Sequence, residues 1–264
     1  RQVDPVGIPG SLDLVKHLTL WVGFLGAAIA ARDGKLLSLA TGELLKDGVV
    51  RRVALVFAAM VTAAVSGLLV WGAVELVVNT RDLGSTVGPD IPAWITQLVL
   101  PLSFLAIAAR VIHRSSSTTR GRLLSAVGLL IPLVLFFQPD MLDGATLWPA
   151  ALLVVVATLF GAPIFVLLGG LAVLFFLGEA QTPYIVLRRT YSLAVSDAIP
   201  AIPLFTLAGF VLAEGRSSER LLRLFRGWFG WIPGGTAVVC AFLCSFFTVF
   251  TGGSGVTILA LGGL

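Results

Sequence analysis

Long apolar runs separated by short polar stretches make up most of the chain. Residues 14–31, 53–78, 94–112, 123–137 and 147–177 approach or exceed the ~20 residues that cross a bilayer as a helix. A shorter run follows at 199–213, and a last one starts at residue 234. These runs do not alternate apolar with polar positions, as the strands of a closed barrel would. The pattern predicts an all-α, polytopic membrane protein.

The polar stretches between the runs carry orientation. Arg32, Lys35, Lys46, Arg51 and Arg52 follow the first run and mark a cytoplasmic loop. The next loop has Arg81 against Asp82 and Asp90 and is placed outside. Arg110, Arg114, Arg120 and Arg122 mark a second cytoplasmic loop, and the acidic loop at 138–145 returns outside. Beyond this point the rule conflicts with itself. Arg188 and Arg189 suit the cytoplasm, yet a crossing by 199–213 then carries Arg216, Arg220, Arg223 and Arg226 outside. Either 199–213 fails to span, or Pro163 divides the long run before it into two elements.

Composition agrees with a lipid-embedded chain. Of 264 residues, 57% are hydrophobic and 12% charged, about half the charged fraction of a soluble domain. A net charge of +4, dispersed along the chain, is no nucleic-acid footprint. The chain opens at Arg1 in a polar stretch and reaches Leu264 within an apolar, glycine-rich segment. It is therefore expected to be an internal part of a longer protein.

Within 217–229, Leu221, Leu222, Phe225, Trp228 and Phe229 recur at helical spacing, while Arg220, Arg223 and Arg226 share another face. This predicts an interfacial helix, with arginines toward headgroups and aromatic rings toward acyl chains; a charged loop between two spans is the plainer alternative. Cys240 and Cys244 lie one turn apart with no His or carboxylate nearby, which predicts small buried residues rather than a metal site. Glu75 is expected to be an interfacial carboxylate, Gln97 and Ser103 to bond between helices, and His17 and His113 to be structural. No nucleophile–base–acid set or phosphate loop appears in the sequence, so neither enzyme chemistry nor a cofactor is expected.

The most informative stretch is 246–262, FFTVFTGGSGVTILALG. Its cluster of Gly252, Gly253 and Gly255 is unfavourable in a continuous helix. Irregular backbone at membrane depth is tolerated only where it is buried or lines a cavity. A helix broken at Thr251-Gly252-Gly253-Ser254-Gly255 exposes carbonyls on one side and N–H groups on the other. The carbonyls, with hydroxyls from Thr251, Ser254 and Thr257, suit a dehydrated alkali cation, and the N–H groups suit an anion. A close-packing patch of small residues explains the same spacing equally well.

Two regions resemble the tripartite ATP-independent periplasmic (TRAP) transporters in the form where small and large membrane subunits are fused. LWVGFLGAAIAARDGKLL, from residue 20, is similar to the small subunit's second helix and basic loop. GAPIFVLLGG from Gly161, AIPLFTLAGFVLAEG from Ala201 and RLLRLFRGWFGWIPGG from Arg220 resemble the large subunit's first helix, its signature segment and its amphipathic arm. The family's hairpin tip commonly reads S-G-S-S-x-A-T, against Thr251-Gly252-Gly253-Ser254-Gly255-Val256-Thr257 here. Gly253 stands where the family has a serine, so a main-chain carbonyl is expected to serve at that point.

The resemblance implies a sodium site at Thr251, Gly252, Gly253, Ser254 and Thr257, with no further metal. It implies an elevator mechanism that imports an organic acid such as a carboxylate, delivered by a periplasmic binding protein to a multi-pass protein of a bacterial or archaeal inner membrane. It also implies a small-subunit-like domain over 1–114, a connector over 115–146 and the start of a transport domain with a re-entrant hairpin over 147–264. The rival readings are a non-transporting membrane scaffold or receptor and a membrane-embedded enzyme.

Overall fold

The computed structural model describes residues 10–39, 48–87, 91–116, 118–138, 147–214, 220, 223–224, 227–228, 231 and 235–251. Four helical stretches among them are long and apolar enough to cross a membrane. They are α1 (Ser11–Asp33), α2 (Val49–Asp82), α3 with α4 (Ala93–Gln97, Val99–Arg114), and α5 with α6 (Thr119–Val127, Leu130–Phe137). All four coincide with predicted runs. After them come α7 (Trp148–Leu159), α8 (Ile164–Gly178), α9 (Tyr184–Ala194), α10 (Ala201–Glu214) and α11 (Gly235–Thr251). A two-residue antiparallel pair, β1 (Thr86–Val87) and β2 (Ile91–Pro92), closes the α2–α3 turn.

The 34-residue α2 rises about 51 Å, more than a bilayer's ~30 Å hydrocarbon core. It is the central post: α4, α5, α6, α7, α8 and α9 all pack on it. Small residues let them approach. Ala63 and Ala73 are fully buried. A Cβ on Gly67 would lie 2.6 Å from Pro132 Cγ, and one on Gly128 would run into the Met60 carbonyl oxygen.

The two loops expected in the cytoplasm meet at one end. Arg114 at the end of α4 donates from Nη1 to the Arg32 carbonyl at 2.6 Å, meeting the unpaired carbonyls and partial negative charge of a helix C-terminus. Its guanidinium covers Gly34, which caps α1 in the left-handed region at φ 70°, a conformation glycine adopts without strain.

The run at 147–177 is divided. Pro163 has no N–H to continue the ladder, Gly161 turns at φ 102°, and the Ile164 N–H bonds instead to the Leu37 carbonyl at 2.9 Å. At 12 and 15 residues, α7 and α8 rise about 18 and 22 Å, and each is shorter than the hydrocarbon core. They fold back as an antiparallel hairpin. Trp148 at the start of α7 meets Phe175 near the end of α8 at 6.0 Å between ring centroids. A Cβ on Gly178 would sit 3.2 Å from Leu147. Helix α9 then continues toward the far end of α2, with Pro183 against Gly72 and Tyr191 against His17.

This hairpin resolves the conflict in the charge rule by the second of its two routes. Arg188 lines a cavity with Asp13, Leu83 and Thr86, at the end opposite Arg32 and Arg114. The cytoplasmic placement of Arg188 and Arg189 is therefore corrected: α9 belongs to the outer end. A cysteine at Ser192, in a background lacking Cys240 and Cys244, is accordingly expected to react with a membrane-impermeant maleimide added outside. Labelling only after permeabilisation would reverse the topology.

By packing, the chain forms two compact units, Arg1–Val195 and Ser196–Leu264. In the second unit α10 and α11 pack together, with Val239 and Leu243 buried.

Candidate functional site

Helix α11 carries the chain to the predicted ion site. Its 17 residues, GTAVVCAFLCSFFTVFT, are apolar at most positions, and its described backbone stays helical through Thr251. Thr248 is turned back on the helix itself, its Oγ1 donating to the Cys244 carbonyl at 2.6 Å. Gly252, Gly253, Ser254 and Thr257 lie outside the described residues, as does the side chain of Thr251. The predicted cation site is therefore described only as far as the helix that leads into it.

The predicted interfacial arm is described in part. Residues 220, 223–224 and 227–228 have helical backbone, and Arg220, Arg223 and Trp228 are exposed. Trp231 Nε1 donates to the Trp228 carbonyl at 2.8 Å. Arg226 lies outside the described residues. Cys240 and Cys244 are both exposed in α11, which corrects the expectation that they are buried. Among the described residues no group of three or more His, Cys, Asp or Glu side chains gathers to hold a metal.

Polar groups in the first unit fall into three sets. Glu75 sits on α2 with Oε1 accepting from the Thr182 hydroxyl at 3.3 Å, while Oε2 is buried without a partner. The residue as a whole is half-buried, between α2 and the turn before α9. Gln97 and Ser103 are buried, but Gln97 Oε1 and Ser103 Oγ have no hydrogen-bond partner. The expected interhelical bonds from these two atoms are not formed. The close packing of α2 against α3 and α4 encloses both without supplying an opposite group.

His17 makes two bonds of 2.7 Å, from Nδ1 to the Asp13 carbonyl and between Nε2 and the Tyr191 hydroxyl. A carbonyl only accepts, so Nδ1 carries a proton, and in the neutral ring Nε2 accepts from Tyr191. The structural role expected of His17 is filled by a residue 174 positions away, which local spacing cannot reveal. Arg188, Tyr191 and Gln97 share the outer cavity, of about 560 Å³. None of the three stands out as a ligand-binding residue in the sequence. Isolated polar residues near helix ends give no signal until the fold brings them to one place.

Comparison with known proteins fits this arrangement. Residues 1–121 match the family described as "Tripartite ATP-independent periplasmic transporters, DctQ component". Residues 151–264 match "Tripartite ATP-independent periplasmic transporter, DctM component". The isethionate TRAP transporter permease protein DctMQ of Oleidesulfovibrio alaskensis is 25% identical over 96% of this chain and 40% of its own length. The C4-dicarboxylate TRAP transporter large permease protein DctM of Vibrio cholerae is 29% identical over 43% of this chain and 25% of its own. The ectoine TRAP transporter large permease protein TeaC of Halomonas elongata is 36% identical over 24% of this chain and 14% of its own. The chain thus spans two fifths or less of the length of these relatives. With small-component and large-component regions in one polypeptide, it is a multi-pass inner-membrane protein that belongs to the tripartite ATP-independent periplasmic transporter family as a fused-subunit member.

Proposed function

We propose that this chain is the membrane part of a sodium-coupled secondary transporter that imports a small organic acid handed over by a periplasmic binding protein. The observation that carries the proposal is the junction after α11. An apolar helix runs to Thr251 and is followed directly by Gly-Gly-Ser-Gly and, after Val256, by Thr257. A break there offers main-chain carbonyls and the hydroxyls of Thr251, Ser254 and Thr257 to sodium, with Gly252 and Gly253 contributing through the backbone alone. Sodium ordering this segment favours solute binding, and by linkage the solute favours sodium. That reciprocity is the coupling.

The first unit supplies a rigid frame for an elevator-type movement. Its helices meet α2 at close range through small residues such as Ala63, Gly67 and Ala73, and packing this tight resists deformation. The arm at Arg220, Arg223, Arg226 and Trp228 fits the membrane interface, where a helix of this kind resists being pulled through the bilayer. The solutes that name the three relatives are isethionate, a C4-dicarboxylate and ectoine. Each carries an acidic oxyanion, which supports an organic acid as the solute class.

The test is uptake by the full-length protein in liposomes, with its binding protein and candidate solutes. An inward sodium gradient is expected to drive accumulation, and an equal potassium gradient is not. Accumulation indifferent to sodium would remove the coupling. No transport of any solute under either gradient would favour a membrane scaffold or receptor.

A further inference from the structure

The cytoplasmic end of the first unit joins a cluster of positive charge to a carbon-walled cavity. Arg32 Nε donates to Asp33 Oδ1 at 2.9 Å, and Lys35 and Arg114 lie within electrostatic reach of the same carboxylate. Among the described residues, three cations therefore face one carboxylate. Arg114 is held in place: Nη1 bonds the Arg32 carbonyl at 2.6 Å, and a Cβ on Gly34 would lie 2.7 Å from its Cζ. Gly34 and Arg114 border a cavity of about 250 Å³ whose walls include Leu36, Leu55, Ala58, Ala59 and Val111. Two hydroxyls in the lining are already committed. Thr62 donates to the Ala58 carbonyl at 2.7 Å, and Ser115 to the Ile112 carbonyl at 2.8 Å. Leu55, 42% exposed, opens one wall to the surroundings of α2. From Leu55 to Thr62 the α2 wall runs about 10 Å, starting one turn inside Arg51 and Arg52.

A cationic rim at the membrane surface above apolar walls at acyl depth matches one kind of molecule. We propose that this site holds an anionic phospholipid of the cytoplasmic leaflet. Its phosphate pairs with Arg114 and Lys35, and the start of one acyl chain lies between Leu36, Leu55 and Ala59. Basic pockets between membrane helices on this side take anionic headgroups for the same reason. The volume also favours a lipid: it falls below the ~300–1,000 Å³ of sites that enclose a whole small molecule, whereas a lipid leaves its remainder in the bilayer. Gly161 and Pro163 of the α7–α8 turn share the lining. Beside it, Ser38 bridges Pro163, and the Ile164 N–H bonds the Leu37 carbonyl. The lipid thus fills the seam between the small-component and large-component regions. The proposal does not depend on sodium or on the segment after Thr251.

The test uses the full-length protein in nanodiscs of equal phosphatidylglycerol and phosphatidylcholine, with retained lipid read by native mass spectrometry. Retention is expected to favour phosphatidylglycerol about tenfold or more. Lys35→Gln/Arg114→Gln is expected to bring the two lipids near parity. Arg52→Gln/Arg120→Gln removes the same charge from the same side of the membrane, at residues outside the cavity lining, and is expected to keep the preference. Lys35→Gln alone, an exposed change, is expected to lower it about fivefold and serves if the double variant misfolds. Glycerophosphoglycerol, the same headgroup without chains, is expected not to displace the lipid. The proposal is overturned if phosphatidylglycerol is not preferred, or if the substitutions at Lys35 and Arg114 change the preference no more than those at Arg52 and Arg120. Displacement by the chainless headgroup would also overturn it, because the site would then take a dissolved anion.

Discussion

Replacing Ser254 and Thr257 together by alanine is expected to lower sodium-driven uptake about a hundredfold or more. The sequence offers a dehydrated cation two kinds of oxygen near residue 252: carbonyls freed by a helix break, and the hydroxyls of Thr251, Ser254 and Thr257. A hydrogen-bonding or ligating contact to a charged group is worth about 1.5–3 kcal/mol, so two lost contacts amount to roughly 3–6 kcal/mol. Each ~1.4 kcal/mol is tenfold in affinity. Because the carbonyls remain, the variant should still fold and insert, and its deficit should shrink at high sodium. Equal uptake by variant and parent across sodium concentrations would remove both hydroxyls from the site.

The second large effect concerns the frame rather than the ion. Gly128→Val is expected to lower stability by about 3 kcal/mol, the upper end of the usual overpacking range. A Cβ on Gly128 would collide with the Met60 carbonyl oxygen, which belongs to the backbone of α2 and cannot rotate away. Relief requires α5 and α6 to move off α2, and Pro132 against Gly67 resists that movement. For a chain of this size the melting temperature should fall by about 6–12 °C. Gly26→Val serves as the control, because a Cβ there meets nothing within 4 Å. Matching melting temperatures for the two variants would show that the glycine contact between α5–α6 and α2 is unimportant.

Much of the fold is legible in the sequence because lipid imposes length. The first four runs need only apolar content and flanking arginines to be read as spans, and the structure has helices at each. The fifth is ambiguous for a specific reason. Pro163 announces a break in any helix, but whether the chain goes on or turns back depends on packing. Gly178 beside Leu147 and Phe175 beside Trp148 settle it as a hairpin, and the members of those pairs lie far apart in a sequence that carries no periodic signal between them. The same holds for Arg188. A pair of arginines after an apolar run reads as cytoplasmic by the charge rule, and only the returning hairpin places it with Asp13 and Thr86 at the outer end.

The functional segments are legible in a different way. The glycine cluster after Thr251 stands out because its residue types conflict with the helix that precedes it. That conflict between local preference and membrane depth is where function is expected. The outer cavity has no such signature. His17 and Tyr191 are ordinary residues in their own helices, and their pairing arises only because the fold places them opposite each other.

The central claim is that main-chain groups at the glycine cluster grip the coupling ion. Sodium binding to the full-length protein, measured by calorimetry in potassium buffer, tests it most directly when the parent is compared with Gly252→Ala/Gly253→Ala. Two alanines favour a continuous helix by about 1 kcal/mol each and keep every hydroxyl. The account predicts saturable sodium binding in the parent and a loss of about tenfold or more in affinity in the variant. Undiminished sodium affinity in the variant would contradict it.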